Sequence, residues 1–205
     1  MFIFVKTMRG FNYKKAVQAL NFLSNKEGGR INKMKAIKLI WLADRFHLRN
    51  HGRTITGDVY FALKHGPVPS TTRDILELNS FSLDEDELQY SSEFISITDQ
   101  YNYESKSHLD DKVFSKTDLE ALETIYKSYG RYDHFTLRDI SHEFPEWKKY
   151  SSALSKRISS RFPMLFIDFF EDAPQQYDFT EINPEIKELS KELFLTSGEI
   201  ENFFK

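Results

Sequence analysis

The residue pattern predicts a mostly helical chain interrupted by a few short strands. Three observations carry this: apolar residues at helical spacing from about 32 to 49, an alternating β-rich stretch that ends at Gly66-Pro67, and N-cap residues placed ahead of later apolar stripes.

Taken in order, residues 12–26 set Ala16, Val17, Ala19, Leu20 and Leu23 on one helix face, and Gly28-Gly29 ends that helix. A second helix spans about 32–49 and stops before Gly52. Its centre, Ala36 to Ala43, has Lys38 as its one polar residue, which suits the central helix of a domain. At about 100° per residue, Asp44 falls on the arc of Ile37, Ile40 and Leu48, and Lys35, Lys38, Arg45 and Arg49 cluster on the other side. A buried charge without a partner costs several kcal/mol, so another part of the fold must reach Asp44.

Residues 54–64 alternate, with a strand at 58–63 that Gly66-Pro67 breaks. Ser70 or Thr71 is the expected cap of a helix to about Leu78. The run Asp84-Glu85-Asp86-Glu87 reads as a solvated helical turn or as an acidic contact patch. Residues 93–98 and 101–109 read as extended pieces meeting at Asp99-Gln100. Ser115 caps a helix over 116–129, striped by Leu119, Leu122, Ile125, Tyr126 and Tyr129 and ended by Gly130. Thr136 is expected to cap a shorter helix through His142, and Pro145 to start a run to about Arg161. Residues 164–170 are apolar, and 184–204 form a last amphipathic helix whose weak point is Gly198.

The 205 residues have ordinary globular composition, enriched in Phe (19) and Tyr (10). The absence of cysteine excludes disulfides, thiolate nucleophiles and Cys-based zinc sites, and fits a cytoplasmic protein. The apolar opening Met1-Phe2-Ile3-Phe4-Val5 is too short for a signal peptide or a membrane span. Net charge is −3 but uneven: residues 1–70 carry 13 Lys/Arg against 3 Asp/Glu, and residues 71–205 carry 15 against 28. Either the halves neutralise one another in the fold, or a basic or an acidic face meets a partner of opposite sign.

Chemistry-bearing motifs are few. No Gly-rich phosphate loop and no Gly-x-Ser-x-Gly elbow is present. His47 and His51 have the i, i+4 spacing of a metal pair, but Leu48-Arg49-Asn50 between them lacks the zinc-protease glutamate and Arg49 and Arg53 repel a cation. Surface histidines at a helix C-terminus are the favoured reading. Asp44 with His65 is an acid–base pair on paper; a buried carboxylate that holds a turn by hydrogen bonds is favoured over it. The second helix's cations either contact phosphates or cover apolar surface with their stems. No nucleic-acid fold signature is present, and the sequence gives no cofactor, metal or catalytic residue.

Three ordered motifs resemble the Panacea antitoxin family, the SocA-like domain. The first is Lys38-Leu39-Ile40-Trp41-Leu42-Ala43-Asp44-Arg45. The second is Ile55-Thr56-Gly57 leading to Tyr60-Phe61-Ala62 and His65-Gly66-Pro67-Val68. The third runs from Asp118-Leu119-Glu120 through Tyr129-Gly130, Leu137 and Ser141-His142 to Pro145-Glu146-Trp147-Lys148. Ile167 to Asp172 is similar to a tail seen in the family. Departures are Glu146 between Pro145 and Trp147, Trp41 in place of the commoner Tyr, and Ser141 in place of Thr.

The resemblance implies a predominantly helical α+β single domain whose small antiparallel sheet joins strands near 58–63, 93–98 and 101–109. It implies residues 1–30 as lead-in and first helix, 31–172 as the Panacea-like domain, and 173–205 as a connector and helix packed on it. It further implies a non-enzymatic antitoxin that binds a toxin encoded in the same operon; the family serves many toxins, among them nucleotide-pyrophosphate synthetases. A related member is an adapter that feeds its toxin to a protease, so a proteolytic adapter or phage-derived interaction protein is the alternative. A nucleic-acid-binding regulator and a hydrolase rank lower. The residues expected to hold the scaffold are Lys38, Leu39, Trp41, Asp44, Arg45, Tyr60, His65, Gly66, Pro67, Val68, His142 and Trp147. Those expected to face a partner are Arg45, Arg49, Asp84, Glu85, Asp86 and Glu87.

Overall fold

The structure, a computed structural model, describes the backbone of residues 10–203 and the side chains of residues 10–197. The opening segment 1–5, weighed above for a signal peptide or membrane span, lies outside the described residues. Helix α1, Tyr13–Lys26, is capped by the Asn12 side chain, and β1, Arg30–Asn32, follows the glycine pair. Helix α2, Lys33–His51, begins at Asn32, whose side chain accepts from the Met34 and Lys35 amides, and ends at Gly52 in the left-handed region (φ +68°). Next come β2 (Tyr60–Leu63), β3 (Gly66–Pro69), α3 (Ser70–Glu77), α4 (Glu85–Phe94), β4 (Ile95–Ile97) and β5 (Asn102–Ser105). The remainder is α5 (Lys116–Tyr129), α6 (His134–Ser141), α7 (Pro145–Lys148), α8 (Ser151–Ser155), β6 (Arg161–Pro163) and α9 (Pro184–Phe203), with 3-10 turns at Asp111–Val113 and Phe166–Phe170. Among the described residues no helix is long and apolar enough to cross a membrane.

The fold is mostly helical α+β, with α2 at its centre. α1, α3, α5, α6, α9, β1, β3 and the second 3-10 turn all pack on α2. That enclosure buries Leu39, Ile40, Trp41 and Leu48, and also Lys35, Lys38, Arg45, His47 and Arg49. A solvated basic side of this helix, expected from the sequence, is therefore absent: no face of it is left over.

Two antiparallel three-stranded sheets replace the single sheet that the resemblance implies. One has the order β1-β5-β4 and the other β3-β2-β6. Gly66-Pro67 does not break the strand as expected: β2 runs from Tyr60 to Leu63, the two-residue turn Lys64-His65 returns the chain, and Gly66-Pro67 open β3, so Leu63 pairs with Gly66 and Tyr60 with Pro69. β3 carries two prolines and lies at the edge, where their missing N–H groups cost no ladder bond. The other side of β2 is taken by β6, and β5 pairs with β1 rather than with β2.

Several local expectations also change. Residue 93 continues α4, and extended structure starts at Ile95. Thr136 is inside α6, whose cap is the Asp133 side chain accepting from the Thr136 amide. The run after Pro145 breaks into α7 and α8, Arg157 takes a left-handed φ of +55°, and residues 161–163 join β2 as β6. α9 runs through Gly198 as continuous helix. The acidic run 84–87 starts α4: Asp84 and Glu87 form a reciprocal capping box, and three acids lie at the helix's positive end.

Gly52 fixes where α9 lies. A Cβ there meets the Ser190 carbonyl oxygen at 2.8 Å and Leu193 at 3.1 Å, in a backbone conformation that side-chain-bearing residues rarely adopt. Gly52→Ala is expected to lower unfolding free energy by about 1–3 kcal/mol, read from urea denaturation midpoints at unchanged slope.

Candidate functional site

The motif residues converge on α2, where four polar groupings each tie a different segment to the helix. The first is Asp44. Its Oδ1 accepts from the Ile55 amide (2.8 Å) and the Thr56 amide (3.1 Å), and its Oδ2 from the Thr56 hydroxyl (2.5 Å) and the Tyr60 hydroxyl (2.7 Å). The carboxylate is wholly buried. Burial pushes it up and the four donors offset this only in part, which leaves it at about 6. Burial and the adjacent acid push the Tyr60 phenol far up, so it stays a donor.

The second grouping clasps the β2–β3 turn. Lys38 is buried, and its Nζ donates to the Pro67 carbonyl (2.7 Å). The Trp147 indole N–H donates to the Leu63 carbonyl (2.9 Å), and the ring stacks on His142 at 3.8 Å and 10°. Gly66 has φ +98°, and a Cβ there collides with Ser141 Oγ and lies 2.7 Å from Lys38 Nζ. The Gly-Pro turn, the lysine and the distant His142-to-Trp147 segment are thus one packed unit. Burial drives Lys38 down to about 7, and burial together with the Lys38 charge holds His142 at about 4. Among the described residues His142 Nε2 is buried without a hydrogen-bond partner, and so is the Trp41 indole N–H.

The third grouping is a pair of buried guanidiniums. Arg45 Nε donates to Glu146 (2.9 Å), its Nη1 to Asp178 (3.1 Å) and its Nη2 to the Glu171 carbonyl (2.6 Å), with its plane 4.7 Å from the Phe144 ring centroid. Arg49 donates to the same carbonyl (3.1 Å) and to Asp172. Both arginines were expected at a partner surface; the structure uses them to strap residues 171–178 to α2. Glu146, which interrupts the family's Pro-Trp element, is the fully buried partner of Arg45.

The fourth grouping centres on Asp118. It is buried and accepts from Lys15 (2.5 Å), Arg53 (2.9 Å) and the Ser115 amide (2.9 Å). Burial pulls its pKa up, and the bonds from Lys15 and Ser115 with the Arg53 charge outweigh that and hold it low. His47 is buried, not a surface histidine. Burial takes it down to about 4, so the neutral ring donates from Nδ1 to the Arg53 carbonyl (2.8 Å) and accepts at Nε2 from Thr117 (3.0 Å). Both nitrogens of the candidate metal ligand are thereby engaged.

His65 sits exposed in the hairpin turn while Asp44 faces the interior, so the paper acid–base pair is not assembled. An open depression lined by Phe22, Asn25, Lys26, His108, Leu109 and Glu123 contains neither residue. Leu39 and Val68 fill core positions, Leu39 fully and Val68 partly. Asp84, Glu85 and Asp86 are exposed and Glu87 half-buried. The charge imbalance between the halves is offset in part across the fold. Lys15–Asp118, Lys26–Glu123, Arg30–Asp99, Arg45–Glu146, Arg49–Asp172 and Arg53–Asp118 each join a cation before residue 70 to an acid after it.

Sequence reasoning missed Asp58. It is buried and accepts from the Thr71 amide (3.0 Å), the Thr72 amide (2.7 Å) and the Thr72 hydroxyl (2.7 Å), capping α3 from thirteen residues upstream. The one signal in the sequence is a lone acid in a β-rich stretch, which is not diagnostic.

The family model described as the SocA-like antitoxin, Panacea domain, matches residues 37–148. The chain belongs to this family. Comparison with curated proteins and with solved structures found no match. The match covers the Asp44 clasp, the Gly66 turn and the Trp147 element of this Panacea domain. It leaves out α1, β6, the 171–178 strap and α9.

A lysine whose pKa falls on folding makes the unfolded state the better proton binder above pH 7, so stability rises with pH there. The Lys38 contribution is fully present above its ordinary 10.5 and is lost as pH falls toward about 7. Urea denaturation between pH 7 and 9.5 is expected to show stability climbing by up to about 1.4 kcal/mol per pH unit. Lys38→Met should flatten that slope.

Proposed function

We propose that this Panacea domain neutralises a toxin encoded in the same operon by direct protein–protein binding in the cytoplasm, working through its outer skin rather than an interior pocket. The observation that most supports the reading is that the family's motif side chains on α2, Lys38, Asp44 and Arg45, all have partners within the chain. Groups engaged in this way hold a scaffold. A partner meets what remains outside, which includes exposed aromatics such as Phe81 and Phe135 and the acids Asp84, Glu85 and Asp86. A few buried anchors would supply most of the affinity, and the acidic exterior would steer encounter with a basic partner.

Neutralisation is tested by expressing the adjacent reading frame's product in bacterial cells with and without this chain. Growth arrest by that product alone, relieved on co-expression, and co-purification of the two proteins are expected. Arrest that persists with both present, with no complex recovered, contradicts the reading.

A further inference from the structure

α9 carries two unlike faces. Ser190 and Phe194 are buried, with the Phe194 ring 5.8 Å from Phe170 and 6.3 Å from Phe166, and Lys187 pairs with Asp172 (2.7 Å). The helix is therefore held in place. Beside that seam stand Ile186, Leu189 and Leu193, exposed by 45, 65 and 57%. At about 100° per residue these three fall within an arc of about 60°, the i, i+3, i+7 pattern by which a helix lies in an apolar groove. Glu185, Glu188 and Glu192 occupy the adjoining arc. Among the described residues Glu185 and Glu192 make no ion pair, and Glu188 only reaches Lys191 at 3.8 Å.

Charge complementarity says what would cover this stripe. Early cations of the chain are drawn inward to Asp118, Glu146, Asp172 and Asp178, and among the described residues Glu185 and Glu192 of α9 have no intramolecular counter-charge. A matching surface has an apolar floor and a Lys/Arg rim. An apolar partner without that rim would leave Glu185 and Glu192 desolvated and unpaired.

We propose that the Ile186–Leu189–Leu193 face of α9, outside the span matched by the family model, is the anchor by which this protein seats in an apolar, basic-rimmed groove of its toxin. This rests on the antitoxin reading above. Because the face lies on a helix already docked to α2, little ordering is needed on binding.

The test measures binding of the full chain to the adjacent reading frame's product, separated from the co-expressed complex. Leu189→Asp is expected to weaken binding at least tenfold. Glu185→Lys/Glu192→Lys should weaken it several-fold and reduce its salt dependence, and Glu104→Lys on β5 should leave it within twofold. Leu189 is mostly exposed, so Leu189→Asp should keep the parent's thermal midpoint. Binding within twofold of the parent for Leu189→Asp overturns the inference and leaves the antitoxin reading standing. No binding by the parent chain removes that reading and the inference with it. Light scattering gives a third outcome: a parent dimer that Leu189→Asp converts to monomer assigns the stripe to self-association and also overturns it.

Discussion

An α-helix enclosed on every side cannot carry ionisable side chains unless the rest of the chain comes to meet them, and α2 carries six that are buried: Lys35, Lys38, Asp44, Arg45, His47 and Arg49. Each left alone would cost several kcal/mol. Meeting them determines where the chain must pass. Asp44 requires two successive amides and two hydroxyls, which places the 54–60 turn. Lys38 requires a carbonyl, which places the Gly66-Pro67 edge strand. Arg45 and Arg49 require acids and a carbonyl, which draws in Glu146 and the 171–178 strap. Apolar packing supplies the bulk of the driving force, but it is non-directional. The directional bonds select one arrangement of loops around the helix.

The same bonds balance the interior: the buried cations Lys35, Lys38, Arg45 and Arg49 are matched in number by the buried acids Asp44, Asp58, Asp118 and Glu146. Lys15, Arg45, Arg49 and Arg53 from the first third of the chain sit inside or at seams between distant segments. Their partners come from the acidic remainder, and the acids beyond that number stay in water. The four cations on the second helix, Lys35, Lys38, Arg45 and Arg49, are buried and do not form a basic face for a nucleic-acid backbone.

Much of the frame was legible in the residues. Helix α2 and its discomforted carboxylate and the Ser115 cap can be read from local spacing, because the causes lie within a few residues of one another; Gly66-Pro67, read as a strand breaker, instead opens β3. What could not be read is set by long-range pairing. Nothing near residues 161–163 says that they join β2, and nothing near Asp58 says that it caps a helix beginning at Ser70. Arg45 and Arg49 misled because periodicity gives the side of a helix and not what lies against it. Burial of a charged side depends on acids more than a hundred residues away. Glu146 looked like an interruption of a motif and is the buried counter-charge of Arg45.

The central claim, that polar clasps on α2 are integral to the core of a passive scaffold, is tested most directly by native-state hydrogen exchange at the amides of Ile55 and Thr56. Both lie outside helix and sheet and are held by Asp44 alone. The account predicts that they exchange only through global unfolding, with the same opening free energy as Leu39 and Ile40 in the middle of α2. Exchange through local opening several kcal/mol cheaper than global unfolding would mean that the turn merely rests on the helix, and would contradict it.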